Sequence, residues 1–254
     1  MKPLIVANWK CNPQTLKGAK LLFNSVKRGI KSIKNVEVVI CPPFVYLATS
    51  DKRQVTKIKL GGQNCFWKAR GPFTGEVSPI QLSNLGCKYV ILGHSERRNW
   101  FGETDEMINK KIKAAILAKL NPIFCIGETE EEREKGQILS ILKSQIEKGL
   151  KKVPKKEIKK ITIAYEPAWA IGTGKPCDTE EAQKMGLLIR KTMARKYSLA
   201  IAKKIRIIYG GSVNSKNARA YIKEAGFQGL LIGGASLNPQ EFIKILRSVS
   251  GVKF

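Results

Sequence analysis

The sequence predicts an α/β protein, a single domain over residues 1–254 whose strands close into a (β/α)8 barrel. Three observations carry this. Short, nearly continuous apolar runs rich in β-branched residues recur eight times along 254 residues, as strands covered by helices on both faces must read. Amphipathic segments with helix-start signals separate them. The first run ends in Asn8-Trp9-Lys10, whereas an open dinucleotide-binding sheet would place a glycine-rich fingerprint there. Eight strand–helix units in about 250 residues match the size of a closed barrel.

The predicted strands, in order, are LIVANW (4–9), EVVICP (37–42), KIKLGGQN (57–64), YVILGH (89–94), NPIFCIGE (121–128), ITIAYEP (161–167), IRIIYGG (205–211) and GLLIGGA (229–235). Between the fourth and fifth, TDEMINKKIKAAILAKL repeats apolar residues at helical spacing. After the fifth, EEEREKGQILSILKSQIEKGL (130–150) predicts one helix, opened by Thr129 and Glu132 at N-cap and N3 spacing. Asp178 with Glu181 opens another after the sixth strand, and Asn238-Pro239 starts the last, NPQEFIKILRSV, with proline at the first helical position.

Composition narrows the function. No apolar run approaches the roughly eighteen residues of a membrane span, and the start MKPLIVANWKCN is too short and too polar for a secretory leader, so a cytoplasmic protein without a membrane partner is expected. The six cysteines are widely spaced, with no C-x-x-C pair and no neighbouring histidine, which predicts neither a metal site nor a disulfide framework. The formal net charge is +26, from 46 basic and 20 acidic residues. The lysines are dispersed, with their densest run at LKKVPKKEIKKI (150–161), and aromatic residues make up only 7%. Without interleaved aromatics or a recognised module, specific nucleic-acid binding is not expected. A positive field still attracts small anions.

The strand ends carry the chemistry, because in a barrel the loops after the strands build the active face. Asn8 and Lys10 follow the first strand; His94, Ser95 and Glu96 the fourth; Glu166 the sixth; Gly210-Gly211-Ser212 the seventh; Gly233-Gly234 the eighth. His94, the sole histidine, either holds its loop by a hydrogen bond or serves as an acid. A short helix beginning at Ser95 would favour its neutral form through the helix dipole. Glu166 is either a salt-bridge partner or a base whose basicity is raised by partial desolvation. The segment after it, PAWAIGTGKP, places Gly172 and Gly174 between two prolines, the composition of a lid able to approach an anion with its backbone. IGTGK lacks the glycine and hydroxyl residue of a nucleotide phosphate loop. YGGSV and IGGAS instead follow strands seven and eight, where barrels bind phosphate. Together these residues point to proton abstraction beside a carbonyl in a small phosphorylated substrate, with Glu166 as base, His94 polarising the carbonyl and Lys10 stabilising the enediolate. No cofactor motif accompanies them, and an aldose–ketose isomerisation needs none.

ANWKCN, QNCFW…GPFTGEVSP, ILGHSERR, CIGE, AYEPAWAIGTGK, YGGSV and GGASL, in this order and spacing, closely resemble the triosephosphate isomerase family across essentially the whole chain. The resemblance implies a TIM barrel that interconverts dihydroxyacetone phosphate and glyceraldehyde 3-phosphate without cofactor or metal. It matches Glu166 to the proton acceptor, His94 to the electrophile, Asn8 and Lys10 to substrate contacts, and Glu96 to a supporting carboxylate. Gly172, Ser212, Gly233 and Gly234 match the phosphate-binding positions. It also implies a homodimer in which the long loop 66–79 inserts Thr74 beside the partner's site. The chain departs from the family at Ala168 and Lys175-Pro176-Cys177, the two ends of the lid, and at Pro72 in GPFTGE. Two other readings of the residues are another phosphate-binding barrel enzyme, such as an epimerase or synthase, and a non-catalytic basic protein on the same fold. A metal-dependent epimerase would present several histidines at its strand ends, and joint retention of Lys10, His94 and Glu166 argues against a non-catalytic chain.

Overall fold

The computed structural model describes residues 1–48, 57–172, 174 and 176–252. Eight parallel strands follow one another in chain order: β1 (Leu4–Asn8), β2 (Glu37–Cys41), β3 (Ile58–Gly62), β4 (Tyr89–Leu92), β5 (Asn121–Ile126), β6 (Thr162–Tyr165), β7 (Arg206–Gly210) and β8 (Gly229–Ile232). Each pairs with the next, and β8 pairs back onto β1, closing a barrel. Around it run α1 (Leu16–Gly29), α2 (Phe44–Leu47), α3 (Pro79–Asn84), α4 (Ser95–Phe101), α5 (Asp105–Leu117), α6 (Glu130–Glu134), α7 (Ile138–Gly149), α8 (Thr179–Lys196), α9 (Leu199–Lys204), α10 (Ala218–Lys223) and α11 (Pro239–Val249).

The strand pattern explains the two-layered core. Successive side chains point to opposite faces, so Leu4 and Val6 join Val39, Ile91, Ile123, Cys125, Ala164, Ile208 and Leu231 in a closed inner cluster. Ile5 and Ala7 alternate with them and pack outward with Ile40, Leu92, Phe124 and Ile163 against helical residues such as Val26, Ile112, Ile146 and Ile245. Each such aliphatic side chain, removed fully from water, contributes about 1.5–3 kcal/mol. Buried polar side chains within these layers are few, among them Thr162 on β6, Asn109 and Lys111 on α5 and Gln145 on α7, and the polar residues singled out from the sequence stand where the strands finish.

The predicted strands are present but shorter. The run 57–64 pairs only over Ile58–Gly62, because Gln63 and Asn64 turn their side chains to Lys10, Cys41 and Lys111. The expected single helix over 130–150 is corrected: it divides into α6 and α7 at Gly136, whose φ of +67° takes the left-handed conformation that ends a helix. The N-caps read from sequence are formed. Thr129 and Glu132 make a reciprocal capping box, and the Asp178 and Asn238 side chains accept from the first turns of α8 and α11.

Candidate active site

The residues singled out at the strand ends meet at one mouth of the barrel. Asn8, the last residue of β1, is buried, and its side-chain Oδ1 accepts from the backbone N–H of Lys10 at 3.1 Å. That bond accompanies a left-handed backbone at Lys10, with φ of +53°, a conformation that a non-glycine residue rarely adopts. Gln63 braces the turn from β3, donating through Nε2 to the carbonyls of Lys10 and Cys41, both at 2.9 Å. The Lys10 ammonium lies 2.6 Å from a Glu96 carboxylate oxygen. Its position is therefore set by backbone, amide and carboxylate together.

His94 caps α4, as the reading of a short helix at Ser95 anticipated. Its Nδ1 accepts the backbone N–H of Glu96 at 3.2 Å. An imidazole nitrogen that accepts a hydrogen bond carries no proton, so the proton of neutral His94 sits on Nε2. Glu96 also approaches Nδ1, at 3.7 Å, but that carboxylate is held by Lys10. Nε2 faces Glu166 Oε1 at 3.5 Å.

Glu166 is 3% exposed, one residue beyond β6. Its backbone N–H extends the β5–β6 pairing to the Ile126 carbonyl at 2.8 Å. Two glycines make room for it. A Cβ on Gly127 would stand 1.8 Å from the Glu166 carbonyl oxygen, and one on Gly210 would stand 2.8 Å from its Cγ. Oε2 is buried with no hydrogen-bond partner among the described residues. Below it lies Cys125, whose thiol is pushed well up by burial, with the Glu166 charge adding to the effect. It stays protonated beside the carboxylate.

Asn8, Lys10, His94 and Glu166 share a pocket of about 230 Å³ with Gly172, Ser212, Gly233 and Gly234. Gly234 opens a short 3₁₀ turn, Gly234–Leu237, and the first N–H groups of such a turn have no acceptor within it. Every described site residue predicted from the sequence except Glu96 lines this pocket, and Glu96 reaches it through Lys10. Gly211, Val213, Asn214, Leu231 and Ala235 line it too, and Gly210 abuts Glu166 from β7.

The segment after Glu166 is moored at both ends. At its start, Ala168 N–H donates to the Glu128 carbonyl at 2.9 Å, and Trp169 Nε1 donates to Glu128 Oε1 at 3.0 Å. The Arg133 guanidinium lies over the Trp169 ring at 4.6 Å and pairs with Glu181. Burial raises the pKa of Glu128, against the bonds from Trp169 and Tyr165. At its far end, Cys177 N–H donates to Tyr209 Oη at 3.3 Å, and Tyr221 Oη donates to the Cys177 carbonyl. Ser212 Oγ donates to the Ala170 carbonyl at 2.8 Å. Thr173 and Lys175 lie outside the described residues.

Sequence reasoning assigned no role to Gln63, Glu128, Tyr209 or Tyr221. Their one signal was position, at or just beyond strand ends or on a helix facing them. Their partners lie between 22 and 53 residues away in the chain, a separation no local pattern encodes.

The model of the triosephosphate isomerase family matches residues 3–249 of the chain. The chain is 46% identical over 248 residues to the triosephosphate isomerase of Dictyoglomus turgidum, covering 97% of this chain and 99% of that one. It is similarly 46% identical to that of Dictyoglomus thermophilum over the same share of each chain. Against the triosephosphate isomerase of Aquifex aeolicus it is 45% identical over 249 residues, 98% of this chain and all of the relative.

Proposed function

Because the chain belongs to the triosephosphate isomerase family, we propose that its strand-end residues carry that family's reaction in the roles their geometry supports. The protein is an aldose–ketose isomerase that interconverts dihydroxyacetone phosphate and D-glyceraldehyde 3-phosphate, as glycolysis and gluconeogenesis require. Glu166 removes a proton from the carbon beside the carbonyl. His94 donates from Nε2 to the carbonyl oxygen, and Lys10, held by Glu96 and Asn8, stabilises the enediolate charge. His94 then moves a proton between the two oxygens, and Glu166 returns its proton to the neighbouring carbon, so the substrate is neither oxidised nor reduced. The backbone N–H groups of Gly172, Ser212, Gly233 and Gly234 hold the phosphate.

One observation carries this reading. A buried carboxylate with an unpartnered oxygen faces the protonated nitrogen of a tautomer-fixed histidine at 3.5 Å, in the pocket that also holds Lys10. A structural salt bridge would satisfy both carboxylate oxygens. The test is an assay of purified enzyme and Glu166→Gln on glyceraldehyde 3-phosphate, coupled to removal of the ketose. Wild type should isomerise, and the variant should lose at least about a thousandfold in kcat with KM within a few-fold, because an amide cannot accept the proton. A loss confined to KM would make Glu166 a binding residue.

The same reading extends to assembly and location. The protein works as a homodimer, in the cytoplasm. Exposed apolar side chains support the dimer: Ile80 lines an apolar hollow with Phe44, Leu47, Val77 and Leu85, Val45 stands exposed next to Phe44 in α2, and Phe73 is exposed on the loop 66–79. No helix among the described residues is long and apolar enough to cross a membrane.

A further inference from the structure

The isomerase reaction uses one lysine, yet the chain carries a net charge of +26. A large share of the excess lies on one part of the surface. Residues 143–160 and 191–204 hold thirteen lysines and arginines against two glutamates, Glu147 and Glu157. The fold brings these stretches together. Lys196 Nζ donates to the Glu147 carbonyl, and Tyr197 Oη to the carbonyls of Leu150 and Val153, so α7, the turn after it and the end of α8 form one continuous face.

Between α7 and α8 lies a groove of about 620 Å³ whose lining holds six cations, Lys143, Lys148, Lys151, Lys191, Arg195 and Lys196, against one carboxylate, Glu147. Acidic partners are few and loose: Glu147 stands 3.9 Å from Lys143, and Glu106 stands 4.0 Å from Lys148. Among the described residues, Lys151, Lys191 and Arg195 have no ion pair. Nearby on α5, Lys113 has its pKa lowered by burial and by the adjacent charges of Lys152 and Lys151, which fits a field of cations short of anions. The face is remote from the active-site mouth. Lys160 precedes β6 and Lys204 precedes β7, so the basic run reaches the end of the barrel where strands begin, whereas the catalytic residues stand where strands finish.

We propose that this groove binds the phosphate backbone of single-stranded RNA, independently of sequence. The chemistry of the groove selects among polyanions. Six cations converge on a concave space, whereas a flat bilayer would meet only the convex flanks. An acidic amphipathic helix needs three or four apolar anchors at helical spacing, and the groove offers two leucines, Leu139 and Leu188. A duplex presents its phosphates on a stiff convex cylinder, whereas a single flexible phosphate chain can follow a concave groove. Lysine, a point charge on a flexible stem, dominates over arginine, and no aromatic side chain lines the groove to stack bases. Contact is therefore to backbone alone.

The test is fluorescence anisotropy of the full-length protein with a labelled single-stranded oligouridine across a salt series. With six groove cations and about 0.7 released ions per phosphate contact on single strands, the plot of log K against log salt should have a slope near −4. Reversing Lys148, Lys151, Lys191 and Arg195 to glutamate should weaken binding at least tenfold and flatten the slope by about 3. Isomerase kcat/KM should stay within twofold. Substituting the same four residues with glutamine, which adds no acid, should give a smaller loss of the same kind and keeps the test valid if four new carboxylates disturb α7. A control reversing Lys20, Arg28, Lys31 and Lys34 on and after α1, with the same net charge as the first variant, should bind within twofold of wild type. The proposal is overturned if this control loses as much, since net charge alone would then explain binding. It is also overturned if the groove variant loses affinity equally for duplex RNA, or loses it only for phosphatidylserine vesicles.

Discussion

The position of Glu166 depends on atoms that are missing from its neighbours. Gly210, at the end of β7, leaves a gap that the Glu166 side chain fills, and a methyl group there would lie 2.8 Å from Cγ and 3.2 Å from Oε1. The neighbour must move, and in a close-packed barrel the carboxylate is the part free to do so. Gly210→Ala should therefore lower kcat on the order of a hundredfold, the cost of misplacing a catalytic group by about 1 Å. KM should change by no more than a few-fold, because the proposed phosphate contacts lie elsewhere in the pocket. Steady-state kinetics on the triose phosphate decides it, and an unchanged kcat would show that Glu166 tolerates the shift. His94 is governed by the same economy: one backbone N–H on Nδ1 leaves the proton on the nitrogen that faces the pocket.

At the scale of elements, the lid and the sheet ends behave differently. The lid stem is tied to Glu128 through Trp169 and to Ser212 through Ala170, while Gly172 and Gly174 adopt positive φ, +72° and +75°. A closed lid keeps water from an enediol phosphate, which can otherwise eliminate phosphate. Deleting residues 171–174 should slow isomerisation and raise the release of inorganic phosphate with methylglyoxal, both measurable in one reaction. Slow isomerisation with no extra methylglyoxal would deny the lid its protective role. At the opposite end of the barrel, Glu37 accepts from Lys59 at 2.6 Å and Tyr89 at 2.6 Å and pairs with Arg206 at 3.2 Å, joining β2, β3, β4 and β7. Burial opposes its charge, but the bonds from Lys59 and Tyr89 and the charge of Arg206 together outweigh it and hold the carboxyl below the usual range. A folded pKa below the unfolded one gives stability that is present above the ordinary carboxylate pKa of about 4.3 and lost as pH falls through the lowered value. Glu37→Gln should cost about 2 kcal/mol at neutral pH, the scale of a hydrogen bond to a charged group. It should also show a shallower fall in stability below about pH 4. Denaturant titrations at pH 7 and pH 3 test both, and equal losses at the two pH values would remove Glu37 from the acid response.

At the scale of the whole molecule, the loop 66–79 is the feature a lone barrel does not need. It exceeds the two to six residues usual after a strand. Phe73 packs on Phe66 with ring centroids 4.7 Å apart and remains 38% exposed, and Gly71 and Gly75 turn the chain with φ of +140° and +87°. In the proposed dimer this tip brings Thr74 toward Asn8 and Glu96 of the partner subunit on a symmetric interface. Two chains of charge +26 repel at long range, and screening at physiological salt shortens that reach to about 8 Å. Association should therefore tighten as salt rises from low to physiological, with activity following it. Sedimentation alongside assays reads this, and a fully active monomer at every salt concentration would rule out the loop's role.

By itself the sequence determined the barrel and the family, and it nominated the groups proposed to react. The signals are local: apolar runs of strand length report burial on two faces, caps such as Thr129–Glu132 and Asp178 report helix starts, and residues like Glu166 and His94 declare themselves by interrupting apolar strand ends. The break at Gly136 was legible in principle, since a glycine in mid-helix is a stop signal, but the helical periodicity on either side obscured it. Only the tertiary structure decided which nitrogen of His94 carries the proton, that Gln63 braces Lys10, that Gly127 and Gly210 make space for Glu166, and that Glu128 holds the lid. It also gathered two basic stretches, distant in sequence and each unremarkable as a solvated run, around one groove. The physical reason is the same in every case: these are contacts across many residues of chain, made by barrel closure and side-chain packing, and no period or spacing in the sequence records which distant partner a side chain will meet.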